Sequence, residues 1–257
     1  GFHYQSDHHR NQKVFGTIEQ RIIDIKRNAY AQAHNIHITT PSNWLCEESR
    51  ASDLLGRFPH SHIFNSINHE VFKIIDRRKA RKALGIPIEK KVLAFVSESL
   101  DNHRKGFDLL ESALEKVNDE SLLICTVGSL LDKPNVYFEL GPIWDPMKMA
   151  LLYNAADAFI MPSREDNLPN VMVESLACGT PVIAFPIGGV VEGVVHGKTG
   201  ILATQVTATA LTDAIYVFLK QDNHFEREKI RAFSLENFSV ERQVDQFIKI
   251  YDQMLNH

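Results

Sequence analysis

The sequence has little cysteine, little excess charge and no long apolar run. Its three cysteines, Cys46, Cys125 and Cys178, form no CxxC pair. That excludes a zinc knuckle or a thioredoxin motif, and the odd, scattered set reads as reduced core thiols of a cytosolic protein. Lys plus Arg number 28 and Asp plus Glu 32, a net charge of -4. The missing basic footprint argues against a dedicated nucleic-acid binder. A phosphorylated small ligand stays open, because it needs only one local cationic spot. No apolar run approaches the roughly 18–20 residues of a membrane span. The start, Gly1-Phe2-His3-Tyr4-Gln5-Ser6-Asp7, lacks the apolar stretch of a signal peptide and the initiator Met. The chain therefore reads as a piece of something longer or a processed product. There is no internal repeat, no low-complexity segment and no Asp-x-Asp motif. The 12 histidines, several clustered at His3, His8 and His9, show no metal-ligand spacing and read as surface residues.

What is present is ordinary core-forming material. Hydrophobic residues make up 44% and charged residues 23% of 257, so a disordered chain is excluded. The length allows one large domain or two modest ones. Apolar spacing predicts a helix over 17–34 and a strand over 37–40. A second helix follows, capped by Ser42, with Glu47 and Glu48 favouring its positive end. A short extended run at 62–65 closes this first segment. Near-continuous apolar runs at 91–97, 122–127, 158–161 and 181–185 predict parallel strands covered on both faces. Helical spacing separates them at 107–117, 147–155 and 171–177, and further helices fill 208–220, 225–233 and 240–255. The apolar stripe of the last helix, Val240, Val244, Phe247, Ile248, Tyr251 and Leu255, reads as core packing. Strands alternating with helices imply right-handed βαβ units, hence a doubly wound α/β domain over roughly 72–235. Such sheets bind ligands beyond the carboxyl ends of their strands.

Three segments at those ends carry chemistry. Asp101-Asn102-His103-Arg104-Lys105-Gly106-Phe107 sets two cations at a helix start, beside a glycine that lets backbone approach closely. That suits an anion such as a diphosphate, although a solvated charged turn reads equally well. In the run from Pro162 to Glu174, seven residues separate Asp166 from Glu174. Glu174 can accept both hydroxyls of a ribose, and Asp166 can accept sugar hydroxyls or stabilise developing positive charge. The amides of Asn170 and Val171 can face a phosphate, while Pro169 has none to offer. Acids at a helix start also occur for dipole reasons alone. Cys178-Gly179-Thr180-Pro181 ends that helix through a left-handed glycine, and Gly188-Gly189 follows the next strand.

Taken in order, these motifs closely resemble the family 4 retaining glycosyltransferases, which have the GT-B fold. The resemblance takes in the acid-x7-Glu run, Ala177-Cys178-Gly179-Thr180-Pro181-Val182 and the Gly pair. It extends to Arg104-Lys105-Gly106-Phe107, Tyr153-Asn154-Ala155-Ala156-Asp157, Pro41-Ser42-Asn43-Trp44-Leu45 and the hinge-like 63–72. The version Asp166-Asn167-Leu168-Pro169-Asn170 looks like the subgroup that builds bacterial surface polysaccharides.

The resemblance implies roles by position. Arg104 and Lys105 would hold the donor diphosphate, Asp166 would contact the transferred sugar, and these three would be the catalytic residues. Glu174 would take the ribose, and Asn170 and Val171 would offer amides. Ile143 would meet the nucleotide base through its backbone. Asn167, Leu168 and Glu165 would line the same substrate loop. It further implies three parts: 1–68 as the tail of an acceptor domain, 69–238 as the nucleotide-sugar domain, and 239–257 as a helix crossing back toward the first part and partly exposed here. No cofactor and no metal is expected. The partners would be a nucleotide-sugar donor, with UDP expected before GDP, and a glycan or lipid-linked acceptor. The location would be cytoplasmic, with peripheral contact at the inner membrane face through the N-terminal domain. Most of that domain, on the order of 100 residues or more, has no counterpart here. Neither has its glycine-rich loop or its active-site histidine. The alternative is a nucleotide-sugar binding fragment, inactive without that domain. The chain departs from the family pattern where Asp166 replaces the usual Glu, with Glu165 beside it. It departs again where Ser97-Glu98 replaces Gly-Arg and where Asn68 replaces the hinge Asp.

Overall fold

A computed structural model of the chain describes residues 15–97, 102–117, 119–128, 137–220 and 225–256. The sequence expectations at Glu98, Asp101, His3, His8 and His9 lie outside them. The fold divides into two compact units. One comprises the chain up to Ile63 together with the residues from Phe247 on, and the other is Phe64–Gln246.

The first unit contains α1 (Phe15–Ala31), β1 (Ile38–Thr40), α2 (Asn43–Arg50) and β2 (His60–His62). The strands pair in parallel, with Ile38 opposite His60. Ser42 caps α2 as its sequence predicts, its Oγ accepting from the Leu45 amide at 3.0 Å. Glu47 and Glu48 lie past the first turn of α2, so they do not serve its positive end as expected; Glu47 instead pairs with Arg50 at 2.6 Å.

The second unit is built on a six-stranded parallel sheet. Its elements are α3 (Arg77–Leu84), β3 (Lys91–Ser97), a 3-10 turn (His103–Lys105), α4 (Phe107–Leu114), β4 (Leu122–Gly128), β5 (Tyr137–Glu139), α5 (Pro146–Ala155) and β6 (Ala158–Met161). There follow α6 (Asn170–Ala177), β7 (Val182–Ala184), α7 (Val190–Gly193), β8 (Gly200–Leu202), α8 (Ala208–Lys220), α9 (Arg227–Phe238) and α10 (Val240–Leu255), whose last residues belong to the first unit. The strand order is β5-β4-β3-β6-β7-β8. Chain order therefore reverses between β3 and β6, which makes their carboxyl ends the topological switch point of a doubly wound sheet.

Alternation along β3 explains its unbroken apolar sequence. Val92 and Ala94 join one buried cluster with Tyr153, Met172 and Ile230, while Leu93 and Phe95 join the other with Leu110 and Leu211. Helices cover both faces, so neither set can be polar. At about 1.5–3 kcal/mol for each large apolar side chain fully buried, the sheet is a stiff frame for the loops at its ends.

Helix α3 has no apolar stripe and buries only Ala80 and Arg81. The Arg81 guanidinium donates to the carbonyls of Ala155, Ile88 and Lys90 and to Asp157 Oδ2, at 2.7–2.9 Å. Asp157 also accepts from Arg77 and from the Val92 amide. A buried cation is tolerated when it is paired and hydrogen-bonded in this way. The stripe on α10 is not core: Val244, Ile248 and Tyr251 are about half exposed, and Ile250 is the buried residue of that helix.

Candidate functional site

The loops after β3 and β6 meet at the switch point. The first tightens into the turn His103–Lys105, where Asn102 Oδ1 accepts from the Arg104 amide at 3.1 Å. Gly106 closes that turn with φ +68, and a Cβ there would lie 1.9 Å from the Pro162 carbonyl oxygen. The close approach that the sequence assigned to this glycine is thus made to the neighbouring loop.

Three further contacts join the loops. Lys105 Nζ donates to Asp166 Oδ2 at 2.8 Å, with both side chains largely buried. The Arg164 amide donates to the Arg104 carbonyl at 2.8 Å. The Arg164 guanidinium grips both oxygens of Asp108 in the first turn of α4, at 2.7 and 2.5 Å, and donates to the His103 carbonyl at 2.8 Å. The Arg164 hydrogen bond holds the Asp108 carboxyl below its ordinary pKa.

Glu174 lies in the interior of α6 and has a different setting. Its Oε2 accepts from the Tyr153 hydroxyl at 2.8 Å, and Tyr153 on α5 is fully buried. Burial raises the Glu174 pKa above its ordinary value, and the Tyr153 hydrogen bond pulls the other way. Burial, and then the neighbouring carboxylate, raise the Tyr153 pKa well above that of a free phenol, so Tyr153 stays the donor.

The remaining sequence-predicted residues fall around these loops. Arg104 and Glu165 are exposed, and Asn167 is half-buried with its amide on Asp166 Oδ1 at 3.1 Å. Leu168 is 5% exposed and its side chain belongs to the core. Asn170 and Val171 open α6, where first-turn amides have no partner within the helix. Ile143 packs on the core in the loop between β5 and α5. The structure therefore brings Lys105 to Asp166 and sets Glu174 on Tyr153. The sequence reading missed Arg164, Asp108 and the role of Tyr153. Arg164 and Tyr153 stand inside runs already singled out, but their partners are distant in sequence.

Among the described residues no group of three or more His, Cys, Asp or Glu is placed to hold a metal ion. No described helix is long and apolar enough to cross a membrane.

The fold agrees with comparison to known proteins. The sequence profile of the family described as "Glycosyl transferases group 1" matches residues 90–221. The chain belongs to this family of glycosyltransferases, of GT-B type. It is 31% identical over 194 residues to a D-inositol 3-phosphate glycosyltransferase of Corynebacterium urealyticum, a match covering 67% of this chain and 45% of that protein. The chain thus spans about half the length of the curated relatives it matches. Its fold is similar to that of sucrose-phosphate synthase from Thermosynechococcus elongatus, with a TM-score of 0.78 and 22% identity over 93% of this chain and 62% of that one. It is also similar to that of Anabaena HepE in complex with UDP, with a TM-score of 0.75 and 21% identity over 91% and 68%.

Proposed function

We propose that the protein moves a sugar from a nucleotide diphosphate sugar to a glycan or lipid-linked acceptor, with retention of configuration, in polysaccharide biosynthesis. The observation that carries this reading is the Lys105–Asp166 pair across the switch point. Lys105, Arg104 and the first amides of α6 hold the diphosphate. Glu174 accepts from the ribose and the backbone at Ile143 meets the base. Asp166 faces the transferred sugar, with Glu165, Asn167 and Leu168 lining the same loop. The bond from the anomeric carbon to the diphosphate breaks, its electron pair leaves on the phosphate oxygen, the acceptor hydroxyl oxygen bonds to the carbon on the face just vacated, and its proton passes to the departing phosphate oxygen. Fixed cations and helix amides stabilise that leaving charge, and neither metal nor cofactor is assigned a part. The HepE complex with UDP supports UDP as the nucleotide. The relatives' names raise a phosphorylated cyclitol as a competing acceptor.

A second reading has the chain bind the donor without transferring the sugar. Its support is that both loops of the donor site lie within the unit Phe64–Gln246, so donor binding calls on no other part of the chain. Calorimetric titration with UDP and GDP tests the donor site under either reading. One nucleotide is expected to bind, and Lys105→Ala is expected to weaken it about tenfold to a hundredfold, the worth of a charged hydrogen bond. Wild-type chain that binds neither nucleotide rules the site out.

A further inference from the structure

Between the two loops the best-connected side chain is one the proposed chemistry does not use. Arg164 lies two residues before Asp166 and reaches back over the other loop. Its guanidinium takes both oxygens of Asp108 and the His103 carbonyl, and its amide takes the Arg104 carbonyl. These four bonds bracket the turn that carries Arg104 and Lys105 on both sides. We propose that Arg164 is a positioning residue, a clamp that sets the Arg104–Lys105 turn against the Asp166 loop so that a diphosphate meets both cations already in place. This rests on the donor-site reading above.

The physical case is one of order. A planar fork on a carboxylate fixes orientation as well as distance, which a lysine at the same place does not. The turn holds its own shape through the Asn102 cap and through backbone bonds from Lys105 to the Asn102 carbonyl at 2.8 Å and from Gly106 to the His103 carbonyl at 3.2 Å, but these are local. Among the described residues it is the bonds of Arg164, the Lys105–Asp166 pair and the approach of Gly106 to Pro162 that fix it against the Asp166 loop. Lys105 itself is held by Asp166 only through a flexible stem. Without Arg164 the cations remain but must be ordered when the ligand arrives, and that ordering cost lowers affinity. The loss falls on the part of the ligand the cations touch. A nucleoside without phosphates does not meet the turn.

The test compares UDP with uridine by calorimetry on the full chain, in wild type, Arg164→Met, Arg164→Lys and Asp108→Asn. Arg164→Met is expected to lower UDP affinity about tenfold and leave uridine unchanged. Arg164→Lys should recover part of the loss. Asp108→Asn alters an exposed carboxylate, so it is readable even if Arg164→Met fails to fold, and it should weaken UDP about threefold in the same selective way. Combining Asp108→Asn with Arg164→Met should add little to the single loss, because the two residues act as one unit. Equal weakening of UDP and uridine in every variant, or no weakening of either, overturns the clamp. Should GDP be the nucleotide that binds, GDP and guanosine replace UDP and uridine; wild-type chain that binds neither diphosphate better than its nucleoside overturns the donor-site reading itself, and the clamp with it.

Discussion

Asp166 and Glu174 come from one loop and the helix it opens, with seven residues between them, yet they stand in opposite surroundings. Asp166 faces an ammonium, in a seam between two loops laced by ion pairs. Glu174 faces a phenol that is wholly buried in a core cluster. An acid held by the charge on a flexible lysine can exchange that partner when a ligand brings its own charge. An acid held by a rigid aromatic hydroxyl keeps its place. The difference teaches that the acid-x7-Glu spacing does not describe a matched pair: tertiary packing makes one carboxylate adaptable and the other fixed.

The strongest way to break this contrast is to part the two loops. Gly106→Ala places a Cβ against the Pro162 carbonyl at a φ that alanine disfavours. A loss of about 3–5 kcal/mol is expected, read as a large fall in the urea midpoint. An unchanged midpoint would mean that the loops are not packed as described. Tyr153→Phe attacks the other side and leaves a buried carboxylate short of a donor. It should cost about 2 kcal/mol in the same measurement and weaken UDP severalfold.

The smallest effect sharpens the contrast through pH. Because the folded Glu174 pKa is raised above its ordinary 4.5, the native state holds that proton longer than the unfolded chain. Stability therefore falls as pH rises from that value through the folded one, and stays lower beyond it. Glu174→Gln removes this fall. The variant should melt higher than wild type at neutral pH, while binding UDP less well. A variant no more stable than wild type at neutral pH would show that Glu174 carries no burial strain.

The strands of the sheet were legible because both their faces are covered, so β3 reads as one apolar run from Val92 to Val96. Helix α3 was not, since it docks through Arg81 and Asp157 and carries no apolar stripe. Strands β5 and β8 are no shorter than β7, but β5 is only half-buried along its length and β8 opens on a glycine, so neither shows the apolar run that marks β7. Of the site, the residue types and the position of the loops at strand ends could be read. What could not be read was which residues meet: Lys105 and Asp166 are 61 residues apart, and only the adjacency of β3 and β6 brings their loops together. The stripe on α10 reads as core by spacing alone, because helical spacing reports an apolar face and not what covers it; its half-exposed residues match the partial exposure that the family resemblance implied.

The fastening of the linker residues 64–75 has a consequence in time. Arg231 donates to the His69 carbonyl across 162 residues of chain, and Arg227 to that of Ile75 across 152. At about 5–20 residues per second, a ribosome takes roughly 8–30 s to travel from one partner to the other. During that interval the first residues of the second unit have been made while the helix that secures them has not. The nascent chain must then carry an unfinished edge of its core, including Phe72, until α9 has left the ribosome.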